Sequence, residues 1–289
     1  MNNVPFAFYD AVTRQYWTTF LPACRNLQGL IGVVAAKTHE KLGYEDITID
    51  CRIPLQTIEY KHWYTRNAVP SINPAYRICT VFLIHHTDDD HSTDTDACNA
   101  LMAHANTPSV CLYFYSSTIG KKLEESIDSL RFVSVLYFST KSVDLIPRIM
   151  RKFVPRKTIT RLKFSFDLDY VFNKATATLL LDLLKQEQFC KATLPPKSNL
   201  IIKKIIADWK ENSEKFVGKK VYRGMKVDNP YYRNEIKKGN IRVCTKAERH
   251  FQNRYYPRTK GIKRISTNQK GGVIYWAEYN TQDIQLFFG

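Results

Sequence analysis

The sequence predicts a mixed α/β chain in which short strands and amphipathic helices alternate as a solenoid, with helices before it and a β-rich cap after it. Three observations predict this: a recurring strand pattern, helical stripes between the strands, and a change of texture after residue 221. The strand pattern is Leu112-Tyr113-Phe114-Tyr115-Ser116, then Leu136-Tyr137-Phe138-Ser139, then Leu162-Lys163-Phe164-Ser165. Its leading leucines are 24 and 26 residues apart. Strand side chains alternate between faces, so each Leu-x-Phe sets two apolar groups on one side.

Two further strands are expected upstream, at Ile47–Cys51 and Ile78–Ile84, and a weaker one downstream at Phe189–Leu194. Helical stripes fall between the strands. Leu123, Ile127 and Leu130 share one face in 119–130, and Ile146, Ile149, Met150 and Phe153 share one in 143–154. Leu179, Leu180, Leu183 and Leu184 mark a helix over 171–184. Ser198 is placed to cap the next helix, which carries Ile201, Ile202, Ile205, Ile206 and Trp209. Trp209 and Phe216 are expected to seal that last unit onto its strand.

Alternation at this period suits either a three-layer parallel domain or a leucine-rich-repeat-like stack. The short period and the missing Gly-rich strand-to-helix loop favour the stack, in degenerate form. The domain reading is 1–42, an N-terminal helical segment with helices at 5–17 and 26–41; 43–221, the repeat scaffold; and 222–289, the cap. The clearest element of the cap is a hairpin, Gly261–Ser266 and Val273–Tyr279, turning over Asn268-Gln269-Lys270-Gly271. A stack needs such an end, because a bare terminal unit exposes apolar surface and a strand edge.

Of 289 residues, 44 % are hydrophobic, which excludes a disordered chain. The longest apolar run, Gly29–Ala36, is far shorter than the ~20 residues of a membrane span, so no membrane role is expected. The first ten residues lack a basic stretch and include Asp10, so a cleaved leader is not expected. The net charge of +16 is concentrated late: residues 151–289 hold 30 Lys/Arg against 12 Asp/Glu. Residues 1–100 hold 8 against 11. That asymmetry points to an acidic partner, or to solubilising side chains on exposed faces.

Seven cysteines, none closer than 13 residues to the next, offer no zinc spacing and no disulfide framework. Cys79 and Cys111 sit in apolar runs and read as core residues. Core thiols fit an intracellular setting, cytoplasm or nucleus.

The segment from His85 to Asp96 has metal-ligand residue types but lacks the glycine and terminal glutamate of a calcium loop, and reads as a solvated loop. No G-x-S-x-G, P-loop or dinucleotide fingerprint is present, so neither an enzyme nor a cofactor is expected. The most suggestive chemical patch is Arg249, Arg254, Tyr255, Tyr256 and Arg258, with Tyr231-Tyr232-Arg233 before it. Cations beside aromatics neutralise phosphates and stack on unpaired bases, which makes nucleic acid a candidate partner. The same residues equally suit packing into the cap.

The opening, Met1-Asn2-Asn3-Val4-Pro5-Phe6-Ala7-Phe8-Tyr9-Asp10-Ala11-Val12, resembles that of a lineage-expanded group of nematode F-box-like proteins with degenerate strand–helix repeats. The resemblance implies a non-enzymatic protein-recognition scaffold, the substrate-binding subunit of a Skp/cullin-type ubiquitin ligase. On that basis Val4, Pro5, Phe6, Phe8 and Val12 would meet a Skp-type adaptor and the repeats a target. Two other readings stand beside it: a nucleic-acid-binding protein using the basic aromatic C-terminal half, and an α/β enzyme without a recognisable motif.

Overall fold

A computed structural model describes residues 26–50, 58–62, 65, 67–72, 77–85, 94–107, 109–165, 168, 170–196, 198–224, 242–243, 262–267, 273–280 and 283–288. The chain is a mixed α/β fold that forms two compact units, residues 1–113 with 119–132, and residues 114–118 with 133–289.

The first unit holds helix α1 (Leu30–Lys41) and strands β1 (Gly43–Ile49), β2 (Ile58–His62), β3 (Ala68–Val69) and β4 (Arg77–Ile84). Helix α2 (Asp94–Ala103) follows, then β5 (Val110–Phe114), which reaches the unit boundary, and α3 (Lys121–Asp128). The strands lie in the order β5-β4-β1-β2-β3. β1 runs parallel to β4 and antiparallel to β2. α1 begins at Leu30 and not at 26, because Gly29 holds φ at +84°, a left-handed conformation that ends any helix extending backwards. Val34, Ala35, Ile47, Ile49, Phe82, Ile84, Leu101, Leu112, Leu123 and Ile127 form its core. Cys79 and Cys111 are buried among them, in no disulfide, as their apolar runs predict.

In the second unit strand and helix alternate: β6 (Val133–Phe138), α4 (Leu145–Phe153), β7 (Arg161–Phe164), α5 (Lys174–Leu184), β8 (Lys191–Leu194), α6 (Asn199–Glu211), the short α7 (Ser213–Phe216) and β9 (Lys220–Gly224). β6, β7, β8 and β9 are parallel and adjacent in chain order. The expected repeat is visible as register. Leu136 pairs with Leu162 and Phe138 with Phe164, all four essentially buried. Phe114 stacks on Phe138 at 5.3 Å between ring centroids, and Phe138 meets Phe164 at 5.6 Å. The serine after the second and third Leu-x-Phe sustains the ladder: Ser139 N–H donates to the Phe114 carbonyl and Ser165 N–H to that of Phe138.

The start of α5 carries a side-chain cap, and that of α4 has a hydroxyl within reach of its first amide. The Leu145 amide donates to Ser142 Oγ, and the Thr176 amide donates to Asn173 Oδ1 at 2.8 Å. Ser198 departs from expectation. It holds the N-cap position of α6, but its hydroxyl donates back to the Pro195 carbonyl and bonds no amide of the helix. A capping serine accepts an amide hydrogen with its oxygen, and here the side chain is turned instead to the Pro195 carbonyl, on a backbone (φ −98°, ψ 25°) outside the extended conformation of a usual N-cap.

Four antiparallel strands continue the sheet beyond β9: β10 (Arg242–Val243), β11 (Ile262–Thr267), β12 (Val273–Asn280) and β13 (Asp283–Phe288). Their order outward from β9 is β13-β12-β11-β10. β11 and β12 are the expected hairpin, closing with Thr267 opposite Val273. Trp209 and Phe216 are fully buried against Phe288, so the last helices pack on β13.

Candidate functional site

In the second unit the parallel strands have two unlike faces. Leu162 and Phe164 are buried while Arg161 and Lys163, which alternate with them, are exposed. The same parity buries Leu136, Phe138, Ala192, Leu194 and Val221, and turns Tyr137, Lys191, Lys220 and Tyr222 to the other side.

Register converts these outward positions into two rows across the sheet. One row is Arg161, Lys191 and Lys220, each directly opposite the next. The other is Tyr137, Lys163, Thr193 and Tyr222. Lys163 Nζ lies 4.9 Å from the Tyr137 ring centroid, and Lys191 Nζ lies 4.0 Å from that of Tyr222. Tyr115 extends the aromatic row, edge-on to Tyr137 at 5.8 Å. Four cations and three tyrosines thus share one continuous surface.

The electrostatics of this surface centre on Lys191. Burial holds its ammonium below the ordinary value of 10.5, and the charges of Arg161, Lys163 and Lys220 push it further down. An anion laid on this row would reverse the second effect. The free protein carries the cost, so Lys191→Met is expected to stabilise it by about 0.5 kcal/mol at neutral pH. Relief of its burial and of two opposed like-charge pairs, the pairs alone about 0.2–1 kcal/mol each, exceeds the loss of one part-exposed cation–π contact of about 0.5–1 kcal/mol. The sign with pH follows from linkage. Between the depressed folded value and 10.5 the unfolded chain binds more protons, so stability rises with pH through that window. Lys191→Met should flatten that rise. Urea titrations across the alkaline range check both effects, and a variant less stable than the wild type at neutral pH would contradict them.

Other buried cations are committed to the backbone. Lys219 Nζ donates to the carbonyls of Gln186 and Glu187 at 2.7 and 2.8 Å, beyond the end of α5. Burial lowers its pKa also. Arg223 donates twice to the Pro196 carbonyl. These two fasten loops and present no charge to a ligand.

The first unit contains a buried polar network. Glu45 on β1 accepts from Thr80 Oγ1 on β4 at 3.1 Å and lies 3.0 Å from His104 Nε2. His104 Nδ1 lies 3.3 Å from both Thr80 Oγ1 and Thr107 Oγ1. Phe82 meets the imidazole edge-on. Hydroxyl, imidazole and carboxylate are the residue types of an activated nucleophile. Thr80, however, is completely buried and its hydroxyl is directed to the carboxylate, so it reaches no substrate. The network ties β1, β4 and the segment after α2 together.

Val4, Pro5, Phe6, Phe8 and Val12, and likewise Arg249, Arg254, Tyr255, Tyr256 and Arg258, lie outside the described residues. So does most of the His85–Asp96 segment; its last three residues open α2. Among the described residues no group of His, Cys, Asp or Glu is arranged to hold a metal, and no helix is long and apolar enough to cross a membrane. The sheet-face residues Tyr115, Tyr137, Arg161, Lys163, Lys191, Lys220 and Tyr222 were not anticipated as a site. Their signal was present in the repeat: they occupy the outward positions of Leu-x-Phe and its successors, one of which reads Lys163 between Leu162 and Phe164.

No protein-family model matches the chain, and no curated protein and no solved structure matches it.

Proposed function

We propose that the protein is a non-enzymatic recognition scaffold that takes an anionic partner on the cation-bearing sheet face of its second unit. In this reading the unit is a degenerate leucine-rich-repeat-like stack, with helices on one side of the strands and the strands beyond β9 acting as its cap. A stack of this kind offers a continuous surface of strand side chains for ligands. The observation that carries the reading is the row Arg161, Lys191 and Lys220 with Lys163 beside it. Cations held opposite one another lower the stability of the free fold, so their placement makes sense as a response to opposite charge.

Location, and not total charge, is the testable content. Arg161 and Lys163 are both exposed, as are Lys204 and Lys210 on α6. The double variant Arg161→Glu/Lys163→Glu should lose most of the full chain's retention on a heparin matrix. The charge-matched Lys204→Glu/Lys210→Glu should elute at nearly the wild-type salt concentration. Equal shifts for the two would show that only net charge matters, and the reading would fail.

A further inference from the structure

Resting on that reading, we infer that the anionic partner is single-stranded nucleic acid, bound across the strands with phosphates on the Arg161–Lys191–Lys220 row and bases on the rings of Tyr137 and Tyr222. The two rows are chemically different and adjacent. Successive outward residues on a strand are about 6.6 Å apart, and neighbouring strands about 4.8 Å. The cation row therefore runs across β7 to β9 beside the tyrosine row, which spans β6 to β9 with Tyr137 and Tyr222 about 14 Å apart at that strand spacing.

A ligand that satisfies both rows must carry regularly spaced anions on one edge and flat π faces on the other. An acidic peptide offers carboxylates but leaves the tyrosines without a role. A duplex offers phosphates but keeps its base faces stacked inside. A single strand offers both, which is why grooves for it combine cations with aromatic platforms.

The lysines also fit an exchange. In the free protein Lys163 covers Tyr137 and Lys191 covers Tyr222, at 4.9 and 4.0 Å. A cation–π contact at a part-exposed ring is weaker than base stacking together with a charge-assisted phosphate bond. Each ammonium can swing from its ring to a phosphate, and the uncovered ring then receives a base. Thr193, the residue between Lys163 and Tyr222 in that row, is buried, so its hydroxyl is not offered to base edges. Binding on this face is thus expected to tolerate sequence.

The test is fluorescence anisotropy of the full chain with four labelled probes: a short oligothymidylate, an oligouridylate of the same length, a hairpin duplex and a poly-glutamate peptide of matched charge. The two single strands should bind about ten-fold or more tighter than the duplex and the peptide. Their affinity should fall with salt with a log–log slope near −3, about 0.7 for each of four cations. Tyr137→Leu and Tyr222→Leu should each weaken single-strand binding about ten-fold and leave peptide binding unchanged. Tyr137→Phe and Tyr222→Phe, which keep the ring and the packing, should bind as the wild type does. Thermal midpoints of the leucine variants separate lost binding from lost folding.

Leucine variants that fold and bind the single strands normally would overturn the inference, as would duplex or peptide bound as tightly as the single strands. If the peptide wins and Arg161→Glu/Lys163→Glu abolishes its binding, the anionic face stands and nucleic acid is excluded. If no probe depends on Arg161 and Lys163, the face and its proposed function fall together.

Discussion

Phe138→Ala should lower the stability of the second unit by about 4 kcal/mol, within the ~3–5 kcal/mol range for a buried phenylalanine truncated to alanine. Phe138 is completely buried and sits between Phe114, stacked at 5.3 Å, and Phe164, tilted at 5.6 Å. Truncation removes the transfer free energy of the ring and leaves a cavity that its neighbours fill only in part. It also cancels two aromatic contacts, each about 0.5–1.5 kcal/mol beyond the area they bury. Phe132 supplies the contrast, since 45 % of it is exposed. Phe132→Ala should change stability by less than about 0.5 kcal/mol. Urea unfolding followed by circular dichroism measures both. A loss below about 1 kcal/mol for Phe138→Ala would mean that the ring ladder does not hold the strands in register.

The second large effect is expected in the first unit. His104→Ala should cost about 3 kcal/mol, because it leaves the Glu45 carboxylate, only 2 % exposed, without the imidazole 3.0 Å away. Thr107 Oγ1 loses its neighbour in the same step. The cost should not add to that of Glu45→Leu. Removing both polar partners and filling the space with apolar groups is often close to neutral, whereas removing one strands the other. A double-mutant cycle over Glu45 and His104 should therefore show a coupling of about 1–3 kcal/mol. Additive losses would mean that the two side chains stabilise the unit independently and that the network is only an adjacency.

How much of this was legible in the sequence differs between the inner and outer faces of the strands. The inner face was legible, because Leu112/Phe114, Leu136/Phe138 and Leu162/Phe164 repeat in a pattern that only burial explains. The helices between them were legible for the same reason, to within the few residues that caps decide. Asn173 and Ser142 set starts that hydrophobic spacing cannot locate. The outer face was harder. Arg161, Lys191 and Lys220 are separated by about thirty residues each in the chain, and only cross-strand register sets them side by side. Charge counted along the sequence drew attention instead to Arg249, Arg254 and Arg258, where basic residues cluster locally. Glu45, Thr80 and His104 left no signal at all, since no spacing rule links a strand, a second strand and a helix end.

The pairing of β9 with β13 also has a consequence in time. β9 ends at Gly224 and its antiparallel partner begins only at Asp283. At a synthesis rate of about 5–20 residues per second, residues 225–282 take about 3–12 s to emerge. Throughout that interval the outer edge of β9 has none of its own β13 hydrogen bonds, and Trp209 and Phe216 lack Phe288. A nascent chain at that stage presents an open strand edge and apolar rings together, the combination most prone to pairing with another chain. The same separation makes this contact strongly non-local, so closure of the β9 edge comes late in folding.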